Sequence, residues 1–289
     1  MFHYVFLDPA TIDEAVAAGE MGLGRLIELL ESFRKDVILA ETDFWRFTDE
    51  IGDRVRAIPD TYQNERKQIQ DILIWMNRNS PMLLLEGDDG SKTLLEFAQE
   101  KASDTDLDMI LSPGDVETSE ETWVKVCLTK AHTTELSERR ARLIKDGLQF
   151  AKGSKNYNKI ASECFSKLVR HAQHIRVYDY ALGKYYGSDH PVNLKRLVRF
   201  LRDNAKCLVE LEINTLSKSK VSLDRDVSDL RNEVDFKITV QYKDSPADLP
   251  HPRYLGADQR YLDIDRGIDM CDCHDKCHMT QIKYAANPA

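Results

Sequence analysis

The stretch that decides the fold is residues 4–41, which reads YVFLDPATIDEAVAAGEMGLGRLIELLESFRKDVILAE. Two short and continuously apolar runs, Tyr4–Leu7 and Val37–Ala40, flank a longer segment whose apolar residues recur at helical spacing from Ile12 to Phe33. Short apolar runs of this kind are typical of strands that are buried on both faces. A strand, a helix and a second strand in this order predict a parallel sheet covered by helices.

The same alternation continues along the chain, so the predicted fold class is α/β throughout. In the first half the pattern predicts these elements: helix Tyr62–Asn77, strand Met82–Leu85, helix Leu94–Ala102 and strand Asp108–Leu111. In the second half it predicts helices at Thr134–Gln149, Tyr157–His174, Leu194–Asn204 and Leu223–Val234, and strands at Ile175–Leu182, Cys207–Ile213, Phe236–Tyr242, Arg253–Leu255 and Tyr261–Asp265. We expect an acidic α/β domain at 1–125, a helical connector at 126–154 and a second α/β domain at 155–289.

Composition excludes several classes of protein. The chain has 289 residues, of which 42% are hydrophobic and 31% are charged, as in globular domains. No apolar run approaches the roughly 20 residues that cross a bilayer, and the N-terminus does not resemble a secretory signal. Six cysteines in a chain of this length do not indicate a disulfide scaffold. We therefore expect a cytoplasmic protein with no transmembrane segment.

The net charge of −9 is unevenly distributed. Residues 1–120 hold 11 Lys and Arg against 26 Asp and Glu, so their net charge is −15, whereas the remainder carries +6. One interpretation is an ordinary solvated acidic surface. The other is a pair of domains with different partners, in which the acidic half binds metal and the basic half meets phosphate groups on nucleic acid or lipid.

A possible phosphate site comes late in the chain. His251 and Arg253 are followed by Asp258, which is one Lys-to-Arg change from the H-x-K-x4-D motif of phospholipase D-like enzymes. In that chemistry a histidine attacks phosphorus and the basic residue holds the phosphoryl oxygens. Arginine can also hold a phosphate, through its forked guanidinium. The alternative is a loop that carries a salt bridge.

The residues that follow strengthen the resemblance. Arg266-Gly267-Ile268-Asp269 precedes Cys271-Asp272 and then Cys277-His278-x-Thr280. Together with His251 and Arg253, and with Tyr178-Asp179-Tyr180 upstream, this order resembles the phospholipase D-like C-terminal domain of MIT-domain proteins. The resemblance covers residues 155–289.

The resemblance implies a binding or dimerising domain. Eukaryotic members of that family are regarded as non-catalytic, bind membrane phospholipid and are often dimers. Full phospholipase D activity uses two H-x-K-x4-D motifs, so one motif per chain implies catalysis only in a dimer. For this half the resemblance favours binding of an anionic ligand, or dimerisation, over hydrolysis, with His251, Arg253 and Asp258 as the phosphate-binding residues.

A cluster of cysteine and histidine residues lies in the same segment, residues 266–280, which is called the tail below. Cys271, Cys273, His274, Cys277 and His278 fall within eight residues and include enough thiolate and imidazole groups for a zinc site. The usual second ligand pair, distant in sequence, is missing. We therefore expect buried thiols and no zinc at Cys271, Cys273, Cys277 and His278, with a zinc site as the alternative.

Four acids follow or flank predicted elements in the first half. Asp8 and Glu41 end strands, Asp89 leads a helix, and Asp115 follows a strand. The carboxyl ends of parallel strands are where such sheets place their sites. Carboxylates gathered there would bind Mg²⁺ or Mn²⁺, through Asp8, Glu41 and Asp115, and activate water against a phosphodiester. The alternative is that all four acids cap helices or stabilise turns.

The order of these acids resembles that of PIN-like nucleases, which implies catalytic roles for all four. Three functions remain open on this basis. The first is a metal-dependent nuclease-like effector that acts on nucleic acid in a bacterial defence system, with a phospholipase D-like domain for binding or dimerisation. The second is a non-catalytic adaptor for phosphate-bearing ligands or partner proteins, and the third is a dimeric phospholipase D-like hydrolase. We expect a homodimer or a component of a larger complex.

Overall fold

The computed structural model describes residues 2–79, 82–102, 104–114, 117–118, 123–131, 133–184, 186–187 and 189–285. The chain divides into two compact units, 2–141 and 142–289. The division falls inside the stretch 126–154 that the sequence predicts as a connector. Each unit is an α/β structure with its own sheet, as the alternation of strands and helices predicts.

The N-terminal unit is built on a sheet with the strand order β3-β2-β1-β4-β6-β5. Its first five strands pair in parallel, and the edge strand β5 runs antiparallel to β6. The strands are β1 His3–Leu7, β2 Val37–Thr42, β3 Leu83–Leu85, β4 Met109–Leu111, β5 Glu117–Thr118 and β6 Val124–Val126. Every residue of β1, β2 and β4 is buried, which explains their continuous apolar runs.

In the described part of this unit, six α-helices accompany the strands. They are α1 Ala10–Ala17, α2 Gly19–Asp36, α3 Arg46–Arg56, α4 Gln63–Asn79, α5 Leu94–Lys101 and α6 Glu135–Asp146, the last of which crosses the division between the units. The single helix predicted from Ile12 to Phe33 is therefore two helices. They separate at Gly19, whose positive φ of 68° does not fit a continuous right-handed helix.

The C-terminal unit contains a mixed seven-stranded sheet with the order β10-β9-β8-β11-β12-β13-β7. The strands are β7 Leu148–Phe150, β8 His174–Tyr178, β9 Glu210–Leu216, β10 Lys237–Lys243, β11 Tyr254–Ala257, β12 Arg260–Ile264 and β13 Thr280–Ala285. The strands β8, β9 and β10 pair in parallel, and the other pairs are antiparallel. The helices of this unit are α7 Tyr157–Val169, α8 Tyr180–Lys184, α9 Asp189–Asn204 and α10 Lys220–Arg231.

Several predicted elements end earlier in the structure, among them the helix predicted over Tyr157–His174, which stops at Val169. The helix predicted over Thr134–Gln149 stops at Asp146, and β7 begins two residues later. Gly147 between them has φ +70°, and a Cβ there would lie 2.3 Å from a backbone oxygen of β13. Since β7 pairs with β13, the C-terminal sheet begins before residue 155. The strand predicted over Ile175–Leu182 stops at Tyr178, where the chain turns into α8.

A buried ion pair lies inside the N-terminal unit. The Arg140 guanidinium donates from Nε and Nη2 to the two carboxylate oxygens of Asp36, at 2.8 and 2.7 Å. Both side chains are buried, and the guanidinium also lies 4.8 Å from the ring centre of Phe33. The sequence does not indicate this pair, because the two residues lie 104 positions apart along the chain.

Replacement of Arg140 by Ala should lower the free energy of unfolding by about 3–5 kcal/mol, because it leaves the buried Asp36 carboxylate without a compensating charge. Arg139→Ala is the matched control, since Arg139 is exposed on the same helix. The control should change stability by less than about 0.5 kcal/mol. Chemical denaturation of both variants measures the difference, and equal values would show that the pair does not stabilise the fold.

Among the residues that the structure describes, no helix is both long enough and apolar enough to cross a bilayer.

Candidate functional site

Asp8 lies at the carboxyl end of β1, the central strand of the parallel sheet. It is 7% exposed, and its Oδ1 accepts a hydrogen bond of 3.0 Å from the Ala10 amide. Burial raises the pKa of the Asp8 carboxyl above its usual value, and the nearby charge of Glu50 raises it further. The Ala10 amide and the charges of Arg54 and Lys125 act in the opposite direction. Asp8 is thus a buried carboxylate with a second acid and two cations within electrostatic reach.

Glu41 lies in β2, beside β1, and its carboxylate bonds to the start of α3. Its Oε1 accepts from the amides of Thr42 and Phe47 at 2.8 and 3.1 Å. Its Oε2 accepts from the Thr48 amide at 3.2 Å and from the Thr48 hydroxyl. Burial raises the pKa of Glu41, although these hydrogen bonds lower it. With two donors on each oxygen, Glu41 fixes the helix that carries Glu50.

The other two predicted acids differ in their placement. Asp89 is exposed, and its Oδ1 accepts from the amide and hydroxyl of Ser91, which lower the pKa of this carboxyl. It does not cap α5, because Thr93 does so in a capping box with Glu96. Asp115 lies outside the described residues.

The described residues contain one group of three acidic, histidine or cysteine side chains with ligand atoms mutually within 4.8 Å, and Asp8, Glu41 and Asp89 are not members of it. Sequence reasoning missed Glu50, because it did not predict α3. The sequence does indicate this helix, because Phe47, Ile51 and Val55 recur at helical spacing, and all three are buried on one face of α3.

In the C-terminal unit, His251 and Arg253 lie just before β11. The Arg253 guanidinium donates to the Arg266 carbonyl at 3.0 Å and to the Asp265 carbonyl. It also lies 5.5 Å from the ring centre of Tyr180, and the His251 ring lies 5.2 Å from the same ring. Two donors of the Arg253 fork are therefore engaged with backbone oxygens.

Asp258 lies at the opposite end of β11 from Arg253. The four residues of β11 span roughly 13 Å, so the structure does not bring Asp258 to the predicted phosphate pair. Its Oδ1 accepts a hydrogen bond of 3.1 Å from the His174 amide at the start of β8, and it has φ +52° in the turn to β12. Asp258 thus supports a turn and lies apart from the predicted phosphate-binding pair.

Asp179 is the fully buried acid of this unit. Its Oδ1 accepts from the amides of Ala181 and Leu182 at 3.0 and 3.3 Å, and its Oδ2 accepts from the Ile268 amide at 3.0 Å. Burial raises the pKa of Asp179, although the Arg253 charge and the amide bonds lower it. A Cβ on Gly267 would lie 2.0 Å from Oδ2, so glycine is required where the tail meets this carboxylate.

The cysteine cluster is held by other contacts. Cys271 and Cys277 are buried and form an isolated β-bridge, whereas Cys273 is exposed. The Cys277 thiol donates to the Ala151 carbonyl at 2.9 Å, and burial raises the pKa of Cys271 to about 12. The raised pKa favours a thiol at Cys271 over the thiolate that zinc binds, whereas hydrogen bonds from Ser154, Lys155 and Gly153 lower the pKa of Cys277 although burial raises it.

Comparison with known proteins supplies no family for this chain. No protein-family model matches it, and no curated protein matches it. The function of this chain is therefore inferred from its residues and their geometry.

Gly267→Ala should destabilise the C-terminal unit by more than Gly153→Ala. Both glycines have positive φ, so both variants carry the cost of about 1–2 kcal/mol for a left-handed L-residue. At Gly153 an added Cβ meets no atom within 4 Å, whereas at Gly267 it meets the Asp179 carboxylate. Thermal unfolding of the two variants measures the added cost of the clash. Equal losses of stability in the two variants would contradict a close approach of Gly267 to the Asp179 carboxylate.

Asp8→Asn should raise the free energy of unfolding at pH 7 in metal-free buffer. A raised pKa means that the fold disfavours the charged carboxyl, so wild-type stability falls as pH rises from about 3.8 to the folded pKa. The amide oxygen of Asn retains the hydrogen bond to Ala10. Each unit of pKa shift corresponds to about 1.4 kcal/mol. Denaturation between pH 3.5 and 7 should show the advantage of the variant growing with pH and absent at the acid end.

Proposed function

We propose that the N-terminal unit is a PIN-like, metal-dependent nuclease. The observation that carries this proposal is the buried Asp8 carboxylate at the carboxyl end of the central strand of a five-stranded parallel sheet, with Glu50 near enough for its charge to raise the pKa of Asp8. Sites of α/β sheets lie at this edge. A hard divalent cation would offset the charge of Glu50 that raises the pKa of Asp8, although Glu50 also pairs with Arg46 at 3.1 Å.

In this proposal Asp8 and Glu50 hold Mg²⁺ or Mn²⁺; Asp115, the third ligand that the sequence predicts, lies outside the described residues. Glu41 acts through α3, since its four hydrogen bonds fix the turn that presents Glu50. Oxygen donors are the ligands that these ions prefer, so the donor set fits. The ion would polarise the phosphate and lower the pKa of a bound water.

Positive side chains beside the carboxylates suit a phosphate-bearing substrate. Arg54 and Lys125 are close enough for their charges to lower the pKa of Asp8. Lys125 is on β6 and Arg54 is on α3, so two elements bring cations to one acidic edge. Cations there would offset the repulsion between a polyanionic nucleic acid and a half of the chain with net charge −15.

For the C-terminal unit we propose a non-catalytic role in binding or dimerisation. The Arg253 fork donates to two backbone carbonyls, and the His251 ring lies against Tyr180. This arrangement lends less support to a dimeric phospholipase D-like hydrolase, which needs a histidine nucleophile and a basic residue free to hold phosphate.

The proposal predicts that purified protein cleaves single-stranded or double-stranded nucleic acid when Mg²⁺ or Mn²⁺ is present, and not in EDTA. Asp8→Asn should lower kcat by at least about 100-fold, because it removes a charged metal ligand from the reacting centre. Glu50→Gln should have an effect in the same direction. Gel-based cleavage with a labelled substrate measures both variants.

The matched control is Asp53→Asn, because Asp53 is on the same helix as Glu50 but is exposed in an ion pair with Arg56. It should retain wild-type activity. Equal cleavage by wild type and Asp8→Asn, or no cleavage by either with both ions tested, would contradict the nuclease and favour the adaptor.

A further inference from the structure

The group of potential metal ligands that the structure does bring together lies in the C-terminal unit. One ligand atom each from Asp189, Asp269 and His278 lies within 4.8 Å of the other two, and all three side chains are half-buried. Asp189 begins α9, Asp269 follows the turn at Gly267, and His278 precedes β13. Residues 80 positions apart in sequence thus converge at one point.

Backbone and side-chain contacts hold these residues in place. Asp189 Oδ1 accepts a hydrogen bond of 3.0 Å from the Cys273 amide. Asp269 Oδ1 accepts one of 2.9 Å from Asn193 Nδ2, one turn into α9. The His278 amide donates to the Met270 carbonyl at 2.8 Å. The ligand set is therefore preorganised by α9 and the tail segment.

The Tyr157 hydroxyl is a buried polar group of the same unit. Tyr157 is 1% exposed, and among the described residues its hydroxyl has no hydrogen-bond partner. Burial raises the pKa of this phenol, and the charges of Cys271, Asp179 and Asp269 raise it further, against Arg196. The hydroxyl thus lies within electrostatic reach of Asp269. A buried hydroxyl is normally paired with protein or with ordered water, so this one indicates that a further group belongs beside it.

We propose that Asp189, Asp269 and His278 bind one divalent transition-metal ion, with Zn²⁺ as the preferred ion. Imidazole together with carboxylate suits Zn²⁺, and a site of nitrogen and oxygen donors binds Zn²⁺ more tightly than Mn²⁺. Three protein ligands leave a position for water on the ion. The ion would join the start of α9 to the tail.

This site is separate from the cysteine cluster that the tail sequence also suggests. The Cys277 thiol donates to the Ala151 carbonyl at 2.9 Å, and Cys271 is buried in a β-bridge with Cys277. His278 is common to both ligand sets, but Asp189 and Asp269 belong to the carboxylate site. The proposal does not depend on the nuclease, because its ligands all lie in the other unit.

Titration of full-length, EDTA-treated protein with ZnCl₂ by isothermal calorimetry tests the site. To keep the proposed nuclease site from contributing, all proteins carry Asp8→Asn. We expect one Zn²⁺ per chain, bound at least about 10-fold more tightly than Mn²⁺. Asp189→Asn and Asp269→Asn should each weaken Zn²⁺ binding by at least about 10-fold. Loss of a group that only hydrogen-bonds to a metal ligand already weakens metal binding by about that factor, and these variants alter the ligands themselves. Each Asn retains an oxygen for the hydrogen bond that the carboxylate accepts.

The matched control is Cys273→Ser, an exposed residue of the same loop whose side chain is outside the proposed site. Its affinity for Zn²⁺ should equal that of the parent. Absence of Zn²⁺ binding, unchanged binding in both Asn variants, or loss of binding in Cys273→Ser would each overturn the proposal.

X-ray absorption of the zinc-loaded parent protein gives a test that does not depend on how the variants fold. We expect a first shell of nitrogen and oxygen at about 2.0–2.2 Å. A sulfur shell near about 2.3 Å would assign the ion to the cysteines and overturn the carboxylate site.

Discussion

The C-terminal unit depends on a carboxylate that is removed from water and satisfied by backbone amides. Asp179 is fully buried, and its oxygens accept from Ala181, Leu182 and Ile268. Burial of a charge is costly unless the charge is hydrogen-bonded, so these three donors have to stay in place. They tie the end of β8 to the start of α8 and to the tail. Gly267 is the residue whose lack of a side chain permits this approach.

The N-terminal unit uses buried carboxylates in a related way, but with different consequences for chemistry. Each carboxylate oxygen of Glu41 accepts two hydrogen bonds, so the acceptor capacity of this side chain is used to hold the start of α3. Among the described residues, the Asp8 carboxylate accepts one backbone hydrogen bond, from the Ala10 amide, and its pKa is otherwise influenced by charged side chains. A carboxylate of the first kind is a structural support. One of the second kind retains acceptor capacity for a cation, which is why Asp8 carries the proposed function.

The two proposed metal sites differ in ligand chemistry. At the edge of the parallel sheet the donors are carboxylate oxygens, which suit Mg²⁺ or Mn²⁺. In the tail, His278 adds an imidazole nitrogen to Asp189 and Asp269, which shifts the preference towards Zn²⁺. The ion in the tail would join the start of α9 to the tail, whereas the ion at the sheet edge would act on substrate. These different roles allow the two sites to be tested separately.

The sequence by itself determined the α/β class and most of the strands and helices, because continuous apolar runs and helical spacing record burial locally. It also directed attention to Asp8 and to the tail around Gly267. Only the tertiary structure decided which polar groups meet. The pairing of Arg140 with Asp36, the engagement of Arg253 with backbone carbonyls and the convergence of Asp189 on the tail all join residues far apart in sequence. Local patterns indicate which residues are buried. The partner of a buried charge, however, depends on how the elements pack, and that packing involves several segments of the chain at once.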